Sequence, residues 1–278
     1  MVLTVSGCRL NSRLATAMFV ALLIAACSAG PPRPSYPAYI VVDELPDAFI
    51  AGLPGVRAKQ LAVDLRTQRA SYRILIPSDW SFTTGASPGQ SVEIFVLAGS
   101  IELGEFLLEA GGYAYIPSGM TGMSMTSDDG ASILYFLDHA DEAAVIQTPL
   151  ITNSNLIDWQ AEDIGVSVKE LRADPGSGAR TWLLKIDEDA ILSWQRSSRA
   201  VEGYLLAGGM NYSECVGELF GTEPYSPGGY FHRPPGAIHG GPESTTIGSA
   251  TWYLRVTGTD TVDVVDGCAA GSEPQATF

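Results

Sequence analysis

Residues 93–99 of the chain read EIFVLAG, and residues 202–208 read EGYLLAG. A second pair of segments also matches, because GYAYIPSG at 112–119 corresponds to GYFHRPPG at 229–236. Two earlier pairs of segments match in the same order: 55–61 with 165–171, and 72–76 with 182–186. Matching segments in one order along a chain indicate a duplicated module. The sequence therefore predicts two copies of the same structural unit.

The duplication sets the predicted domain organisation. The first module is expected at residues 43–140 and the second at residues 155–258. A polar connection at 141–154 joins them, and a tail at 259–278 follows the second module.

Within each copy, short runs of β-branched and aromatic residues are bounded by glycine, proline or aspartate, for example at 92–97, 112–116 and 133–137. The chain of 278 residues holds 30 glycines and 17 prolines, and it is 46% apolar and 17% charged. This composition is typical of a folded protein of many short strands joined by turns. We therefore predict an all-β fold, with a small sandwich or barrel in each copy.

The charge balance excludes one class of partner. The chain has 31 acidic and 16 basic residues, for a net charge of −15. Proteins that bind nucleic acid need a basic patch to contact phosphates, and the sequence offers none. We expect no nucleic-acid partner.

The N-terminus has the features of a bacterial export signal. Arg9 and Arg13 precede an apolar run at residues 14–26, which ends in small residues before Cys27. The run is too short to span a bilayer, and the small residues before a cysteine resemble the lipoprotein cleavage box. We expect residues 1–26 to be a lipoprotein signal peptide and Cys27 to be the lipid attachment site. An ordinary signal peptide cut nearby, or an uncleaved anchor, is the alternative.

The segment after the cleavage site predicts a tether. Residues 28–38 read SAGPPRPSYPA, and such proline density holds a chain extended. Residues 27–42 would then link the lipidated cysteine to the first module. The expected location is the bacterial cell envelope, facing the periplasm and attached to a membrane, and Ser28 favours the outer membrane.

Cys215 and Cys268 are the cysteines that follow Cys27. An even pair in an exported chain favours a disulfide, because the compartment is oxidising. Two free buried thiols are the alternative, since spacing alone does not show that the two side chains meet.

The second copy resembles a known family in its motifs. Residues 228–240 read GGYFHRPPGAIHG, and Glu202 lies six residues before Gly208. These segments resemble the two conserved motifs of cupins, and the duplication resembles bicupins of the RmlC-like superfamily. The sequence specifically resembles double-cupin proteins of unassigned function with a Pro-Pro-Gly-x-x-His-Gly motif. It implies two tandem cupin barrels of the double-stranded β-helix, or jelly-roll, type.

The resemblance implies a metal site that this chain has largely lost. Cupins usually hold iron, manganese, nickel or zinc with three histidines and one glutamate. The expected His-x-His pair is replaced by residues 195–198, QRSS, in the second copy and by residues 86–89, ASPG, in the first. Glu202, His239 and, depending on strand parity, His232 would form a depleted site in the second barrel. We expect no resident cofactor, with a divalent metal in the second barrel as the open alternative.

The two glutamates that correspond in the repeat, Glu93 and Glu202, need charge partners if they are buried. A carboxylate that points into an apolar barrel needs a cation, so we predict that Arg196 or Arg199 pairs with Glu202 in place of the metal. Glu93 has no cationic residue in the stretch before it, and its direction, inward or to solvent, is left open.

The function predicted from these residues is binding of a small molecule, such as an organic acid, a sugar-like compound or an aromatic compound, in the second barrel. A metal-dependent dioxygenase or isomerase, as the resemblance implies, is one alternative, and the missing His-x-His pair argues against enzymatic activity. A structural envelope protein is the second alternative function. For His239 itself, the alternative to lining a pocket is a purely structural role in the turn. A homodimer is left open. The predicted binding pocket consists of Trp194, Arg196, Glu202, Tyr204, His232 and His239.

Overall fold

The computed structural model describes residues 39–50, 52–65, 67 and 69–270. The predicted signal peptide, Cys27 and most of the tether lie outside these residues. The described chain is built from β-strands, with three short 3-10 turns at Val42–Glu44, Ser154–Leu156 and Cys268–Ala270. None of the helical segments in this part of the chain is long and apolar enough to cross a membrane.

The strands form two sheet systems, each curled into a barrel, which confirms the predicted all-β fold with two tandem barrels. The first strand, β1, is Ile40–Val41. The first barrel contains β2 (Asp47–Ala48), β3 (Arg57–Asp64), β4 (Arg69–Ile76), β5 (Trp80–Gly85), β6 (Gln90–Leu103), β7 (Phe106–Glu109), β8 (Gly112–Ile116), β9 (Thr121–Ser127), β10 (Ala131–His139) and β11 (Leu150–Asn153).

The second barrel repeats the order of the first nine of these strands and adds a strand of its own at the end. It contains β12 (Gln160–Asp163), β13 (Val166–Ala173), β14 (Arg180–Ile186), β15 (Trp194–Ser197), β16 (Val201–Val216), β17 (Leu219–Tyr225), β18 (Gly229–Arg233), β19 (Ile238–Gly240), β20 (Thr245–Val256) and β21 (Val262–Val264). The pairings between these strands are antiparallel, and the long strands β6 and β16 take part in both faces of their barrels.

The two barrels exchange their first strands. Strand β1 precedes the first barrel but pairs with β18 of the second, with Ile40 opposite Tyr230. Strand β11 lies directly before the second barrel in sequence, but it pairs with β8 of the first barrel, with Ile151 opposite Ala114. Because β8 and β18 are equivalent in the repeat, β1 and β11 occupy equivalent places. The barrels are therefore tied together by backbone hydrogen bonds.

The segments expected to be a tether, a connection and a tail each contain a paired strand that the sequence pattern did not reveal. Strand β1 lies in the range 27–42, β11 lies in 141–154, and β21 lies in 259–278. These strands have only two to four residues, which is too short for a hydrophobic alternation to be recognised.

The repeated glycine of the two matching motifs has a conformational cause. Gly99 has a φ angle of +72° and Gly208 one of +78°, in the left-handed region that glycine adopts without strain. A Cβ atom at Gly99 would collide with the carbonyl oxygen of Gly130, and one at Gly208 with that of Ser249. Each glycine thus permits the long strand to pass close to its neighbour.

Successive side chains along the long strands point alternately into the barrel interior and toward the other barrel, so they belong to different apolar clusters. In β6, Val92, Ile94 and Val96 belong to the interior of the first barrel, whereas Phe95 belongs to the seam between the barrels. The seam also contains the stacked pair of Phe136 and Tyr253, with ring centroids 5.5 Å apart. The interior of the second barrel is a separate cluster made mostly of large side chains: Met210, Tyr212, Tyr225, Phe231, Trp252 and Leu254 among others.

A disulfide joins Cys215 at the end of β16 to Cys268, with the Cα atoms 5.3 Å apart. It fastens the C-terminal segment across the outer face of the second barrel, where β21 pairs with β15. Closing a loop with a sequence separation of 53 stabilises the fold by about 4 kcal/mol in the chain-entropy model.

Candidate functional site

The structure separates the residues of the predicted metal triad. On β16, Val201 and Leu205 face the interior of the second barrel, so Glu202 between them faces the other way, toward the first barrel. His232 lies directly opposite Glu202 on β18 and shares that outer face. His239 faces the interior, where its ring lies 6.0 Å from the ring of Tyr212. The predicted convergence of Glu202, His232 and His239 is therefore wrong, and the reason is strand parity.

The predicted arginine partners of Glu202 are also wrong. Arg196 lies on the outer face of β15 and pairs with Asp263 at 3.4 Å. Arg199 donates to the carbonyl oxygen of Thr259 at 3.1 Å. Both arginines are held by the C-terminal segment rather than by the strand that carries the glutamate.

The remaining predicted pocket residues lie outside the barrel interior. Trp194 packs on the outer face of β15 against Phe220, with ring centroids 5.8 Å apart. Tyr204 belongs to the apolar seam between the barrels. Of the predicted pocket, His239 is the residue that faces the interior of the second barrel.

The partner of Glu202 is Arg255 on β20, whose Nη1 lies 3.0 Å from the carboxylate. Arg255 is 2% exposed. Its Nη2 atom contacts Asp138 closely and lies 3.5 Å from Glu93. One buried guanidinium thus faces three carboxylates, two of them from the first barrel.

Glu93 is buried at the same seam, with 1% of its surface exposed, so the alternative that it faces solvent is wrong. It accepts hydrogen bonds from Arg172 at 2.6 Å and from Thr181 at 2.7 Å, both in the second barrel, and from Tyr113 at 3.0 Å. Burial alone would raise the pKa of Glu93, but Arg255 and Arg172 hold it below its ordinary value.

The seam is reciprocal, as a duplicated pair of barrels allows. Glu202 accepts from Ser71 of the first barrel at 2.5 Å and from Tyr230 of its own barrel at 2.8 Å. Ser71 and Tyr230 correspond in the repeat to the Thr181 and Tyr113 that serve Glu93. Each glutamate therefore binds one tyrosine of its own barrel and one hydroxyl of the other, and these bonds fix the barrels against each other.

A second polar cluster lies inside the second barrel. Arg233 on β18 donates to Glu214 on β16 from Nε at 3.0 Å and from Nη2 at 2.5 Å. The guanidinium stacks on the ring of Phe231 at 3.9 Å and lies 5.0 Å from the centre of the Tyr212 ring. Both charged groups are buried, so the ion pair is shielded from water.

His239 completes this interior cluster. Its Nδ1 lies 3.1 Å from the carbonyl oxygen of Ala237, and its Nε2 lies 3.4 Å from Nε2 of Gln195. A carbonyl can only accept, so Nδ1 carries the proton and Nε2 presents its lone pair toward the Gln195 amide. Burial, together with the charge of Arg233, lowers the pKa of His239 well below its usual range. The imidazole is therefore neutral at physiological pH.

The first barrel has no equivalent cluster at the matching place. Ile116 occupies the position of Arg233 and is fully buried in the apolar interior with Met125. The counterpart of His239 in the repeat is Gly122. The interior chemistry therefore differs between two barrels of the same backbone design.

Sequence reasoning missed Arg233, Glu214, Arg255, Arg172 and Asp138. The sequence did contain a signal for Arg233. When the two repeats are aligned, Arg233 corresponds to Ile116, so a charged residue replaces an apolar one. The charged partners at the seam carried no such signal, since the paired residues are far apart in sequence, for example 79 residues for Arg172 and Glu93 and 117 residues for Arg255 and Asp138.

The residues present do not fit a divalent metal. The interior offers one imidazole and one carboxylate, and Glu214 is already bonded to the Arg233 guanidinium. Stable protein sites for such ions generally need three or more ligands. Across residues 39–270, apart from the few not described, no group of three or more His, Cys, Asp or Glu side chains could hold a metal ion.

Solved structures of other proteins are similar to this chain in fold. A proposed dioxygenase from Nostoc punctiforme has a TM-score of 0.67 and 20% identity, covering 82% of this chain and 86% of that one. Protein YlbA of E. coli has a TM-score of 0.64 and 16% identity, covering 78% and 89%. Oxalate decarboxylase of Bacillus subtilis has a TM-score of 0.59 and 11% identity, covering 82% and 79%.

These solved structures are proteins of the cupin fold, and they match this chain over both barrels. The chain has the bicupin fold. At these identities the likeness shows the fold alone. No protein-family model and no curated protein matches the sequence of this bicupin.

Proposed function

We propose that this bicupin is an envelope protein that binds a small carboxylate inside its second barrel, with Arg233 as the charge partner. The observation that carries the proposal is the buried Arg233–Glu214 ion pair beside His239. The arrangement favours the organic acid among the ligand classes expected from the sequence.

The energetic argument starts from the cost of the ion pair. Taking two charges out of water is expensive, and replacing a buried pair by apolar side chains is often neutral or stabilising. Ile116 occupies the same place in the first barrel and completes an apolar core there. The fold therefore does not require an arginine at this position, and the presence of the pair points to recognition of a ligand.

The polar groups around the pair suit a carboxylate. Arg233 has a planar donor group of the kind that binds carboxylates in bidentate fashion, and it already holds the carboxylate of Glu214 through Nε and Nη2. Gln195 brings an amide group with two N–H donors: neutral His239 accepts from one of them at Nε2, and the other can donate to a carboxylate. The aromatic rings of Tyr212 and Phe231 flank the guanidinium and exclude water from it.

The name of one structural neighbour is consistent with this ligand class. Oxalate decarboxylase acts on a small carboxylate, as its name states, and shares the two-barrel fold. We carry over only the class of ligand, since the donor set of the second barrel does not fit a metal.

Calorimetric titration of the purified protein with a panel of small mono- and dicarboxylates tests the proposal. We expect at least one acid to bind, and we expect the double variant Arg233→Ile, Glu214→Leu to lose that binding. Ile116→Val is the matched control, because it alters the equivalent place in the first barrel, and it should keep the affinity. Binding that survives the double variant would refute the proposal, as would a panel in which no acid binds.

The envelope location rests on the N-terminal sequence. Arg9, Arg13 and the small residues before Cys27 support lipidation, and the Cys215–Cys268 disulfide suits an oxidising compartment. Cys27→Ser should move the protein from the membrane fraction to the soluble fraction of a bacterial host. An unchanged distribution would contradict lipid anchoring.

A further inference from the structure

A cavity of about 180 Å³ opens on the outer face of the first barrel. Lys59 on β3 and Arg73 on β4 line it. Their side chains point outward, because the adjacent residues Ala58 and Ile74 belong to the barrel interior. The cavity is open to solvent on one side, so a small molecule can reach it. It shares no residue with the ion pair inside the second barrel.

The repeat identifies the matching place in the second barrel. Lys59 corresponds to Lys169 in the matched segments of the two barrels. Nζ of Lys59 donates to the carbonyl oxygen of Leu45 at 2.5 Å, and Nζ of Lys169 donates to that of Ser154 at 2.8 Å. In both barrels this carbonyl belongs to, or directly follows, the short 3-10 turn before strand β2 or β12. The surroundings of the two lysines can therefore be compared directly.

In the second barrel this place is filled by an indole ring. Trp159 lies three residues after the 3-10 turn and opposite Lys169, since the next pair along the two strands is Gln160 with Val168. The centre of its ring lies 4.8 Å from Nζ of Lys169 and 5.9 Å from Nζ of Lys185. The second barrel therefore covers its lysine with an aromatic side chain of its own.

The first barrel has Asp47 at the position of that tryptophan. Asp47 also lies three residues after its 3-10 turn, and it pairs with Lys59 in the register of β2 and β3. Its carboxylate contacts Nζ of Lys59 at 2.9 Å, but the side chain is 56% exposed and does not fill the cavity. Leu75, the counterpart of Lys185, lines the cavity and is 38% exposed. The first barrel thus has the cation and an apolar wall without the ring that covers them in the second.

We propose that this cavity binds a small electron-rich aromatic compound, such as an indole or a phenol, with the face of its ring on the ammonium group of Lys59. The ring takes the place that the Trp159 side chain takes on Lys169. A cation is attracted to the electron-rich face of an aromatic ring, and this attraction is strongest for indole. The exposed side chain of Leu75 adds an apolar contact.

The charges around the cavity support the assignment. Three cationic side chains, Arg57, Lys59 and Arg73, line it together with the carboxylates of Asp43 and Asp47. Asp43 pairs with Arg73 at 2.6 Å, and Arg57 lies 3.6 Å from Asp47. The cavity therefore has one positive charge in excess, which favours a ring with an electron-rich face over an aromatic cation. This inference is independent of the ligand proposed for the second barrel.

Titration of the purified full-length protein with indole, followed by saturation-transfer NMR, tests the proposal. We expect saturable binding of indole and of phenol. Cyclohexanol has nearly the size of phenol but no aromatic face, so it should bind roughly 3- to 30-fold more weakly than phenol. Asp47→Trp places an indole side chain over Lys59, as in the second barrel, and should abolish the binding of indole. Lys59→Met keeps the apolar stem but removes the charge, and it should weaken indole binding by roughly 3- to 30-fold.

Lys169→Met is the matched control, because it removes the corresponding lysine of the second barrel, where Trp159 already occupies the place. This variant should keep the affinity for indole. The double variant Arg233→Ile, Glu214→Leu should keep it as well, which separates this site from the one proposed inside the second barrel. Absence of indole binding, binding that survives Asp47→Trp, or equal affinity for phenol and cyclohexanol would overturn the proposal.

Discussion

Arg233 in the second barrel occupies the position that Ile116 occupies in the first. Ile116 is paired with Val92, Arg233 is paired with Val201, and these valines directly precede the matching glutamates. The backbone register is the same in both places. The two barrels therefore differ in interior chemistry, while the architecture around these residues is common to both.

This relationship predicts how the ion pair contributes to stability. Arg233→Ile alone leaves Glu214 buried without a counter-charge and should lower the free energy of unfolding by about 3–5 kcal/mol. The double variant with Glu214→Leu should recover most of that loss, because it repeats the apolar solution of the first barrel. Urea denaturation measures both, and a double variant no more stable than the single one would contradict this account.

Arg255 is expected to be the most sensitive residue of the seam. Arg255→Met leaves Asp138, Glu93 and Glu202 with less positive charge and should lower the free energy of unfolding by about 3–5 kcal/mol or more. Arg180→Met is the control, because Arg180 pairs with Glu170 at the surface, at 3.2 Å, and should cost about 1 kcal/mol or less. Similar losses for the two variants would show that the seam network does not fix the barrels.

The neutral state of His239 predicts a pH dependence of stability. Its folded pKa is lowered below the ordinary value of 6.5, so the unfolded chain binds the proton first as the pH falls. Stability that is present above pH 6.5 should therefore be lost below it, by up to about 1.4 kcal/mol per pH unit until the folded pKa is reached. His239→Gln should flatten this part of the curve of unfolding free energy against pH. An identical slope in the variant would place the proton uptake elsewhere.

The disulfide is expected to stabilise the C-terminal segment. The double variant Cys215→Ala, Cys268→Ala should lose about 4 kcal/mol of unfolding free energy, the value of the chain-entropy model for a sequence separation of 53. Thiol labelling of the denatured, non-reduced protein should modify neither cysteine. Labelling of either one would show that the bond does not form.

Much of the fold could be predicted from the repeat. The matched segments at 93–99 and 202–208 predicted two equivalent barrels, and the runs of β-branched and aromatic residues predicted their strands. The exchange of β1 and β11 could not be predicted, because strands of two and four residues carry no recognisable alternation. Their partners are chosen by the packing of one barrel against the other.

The candidate site could be predicted only in part. His239 faces the barrel interior, as one interpretation of the motif predicted, but Glu202 and His232 face the seam. A shift of one residue along a strand moves a side chain to the opposite face of the sheet. The motif fixed Glu202 in sequence, whereas its direction depended on which neighbouring residue, Val201, joined the barrel interior.

The sequence by itself determined the duplication, the all-β architecture and which side chains each barrel contains. These follow from local composition and from repeated order, which the chain carries without folding. Only the tertiary structure decided that Glu93 and Glu202 meet arginines of the second barrel, and that Arg233 and Glu214 meet inside it. The Arg233–Glu214 pair forms only when the second barrel has closed, and the pairs that cross the seam form only when both barrels have closed and packed together.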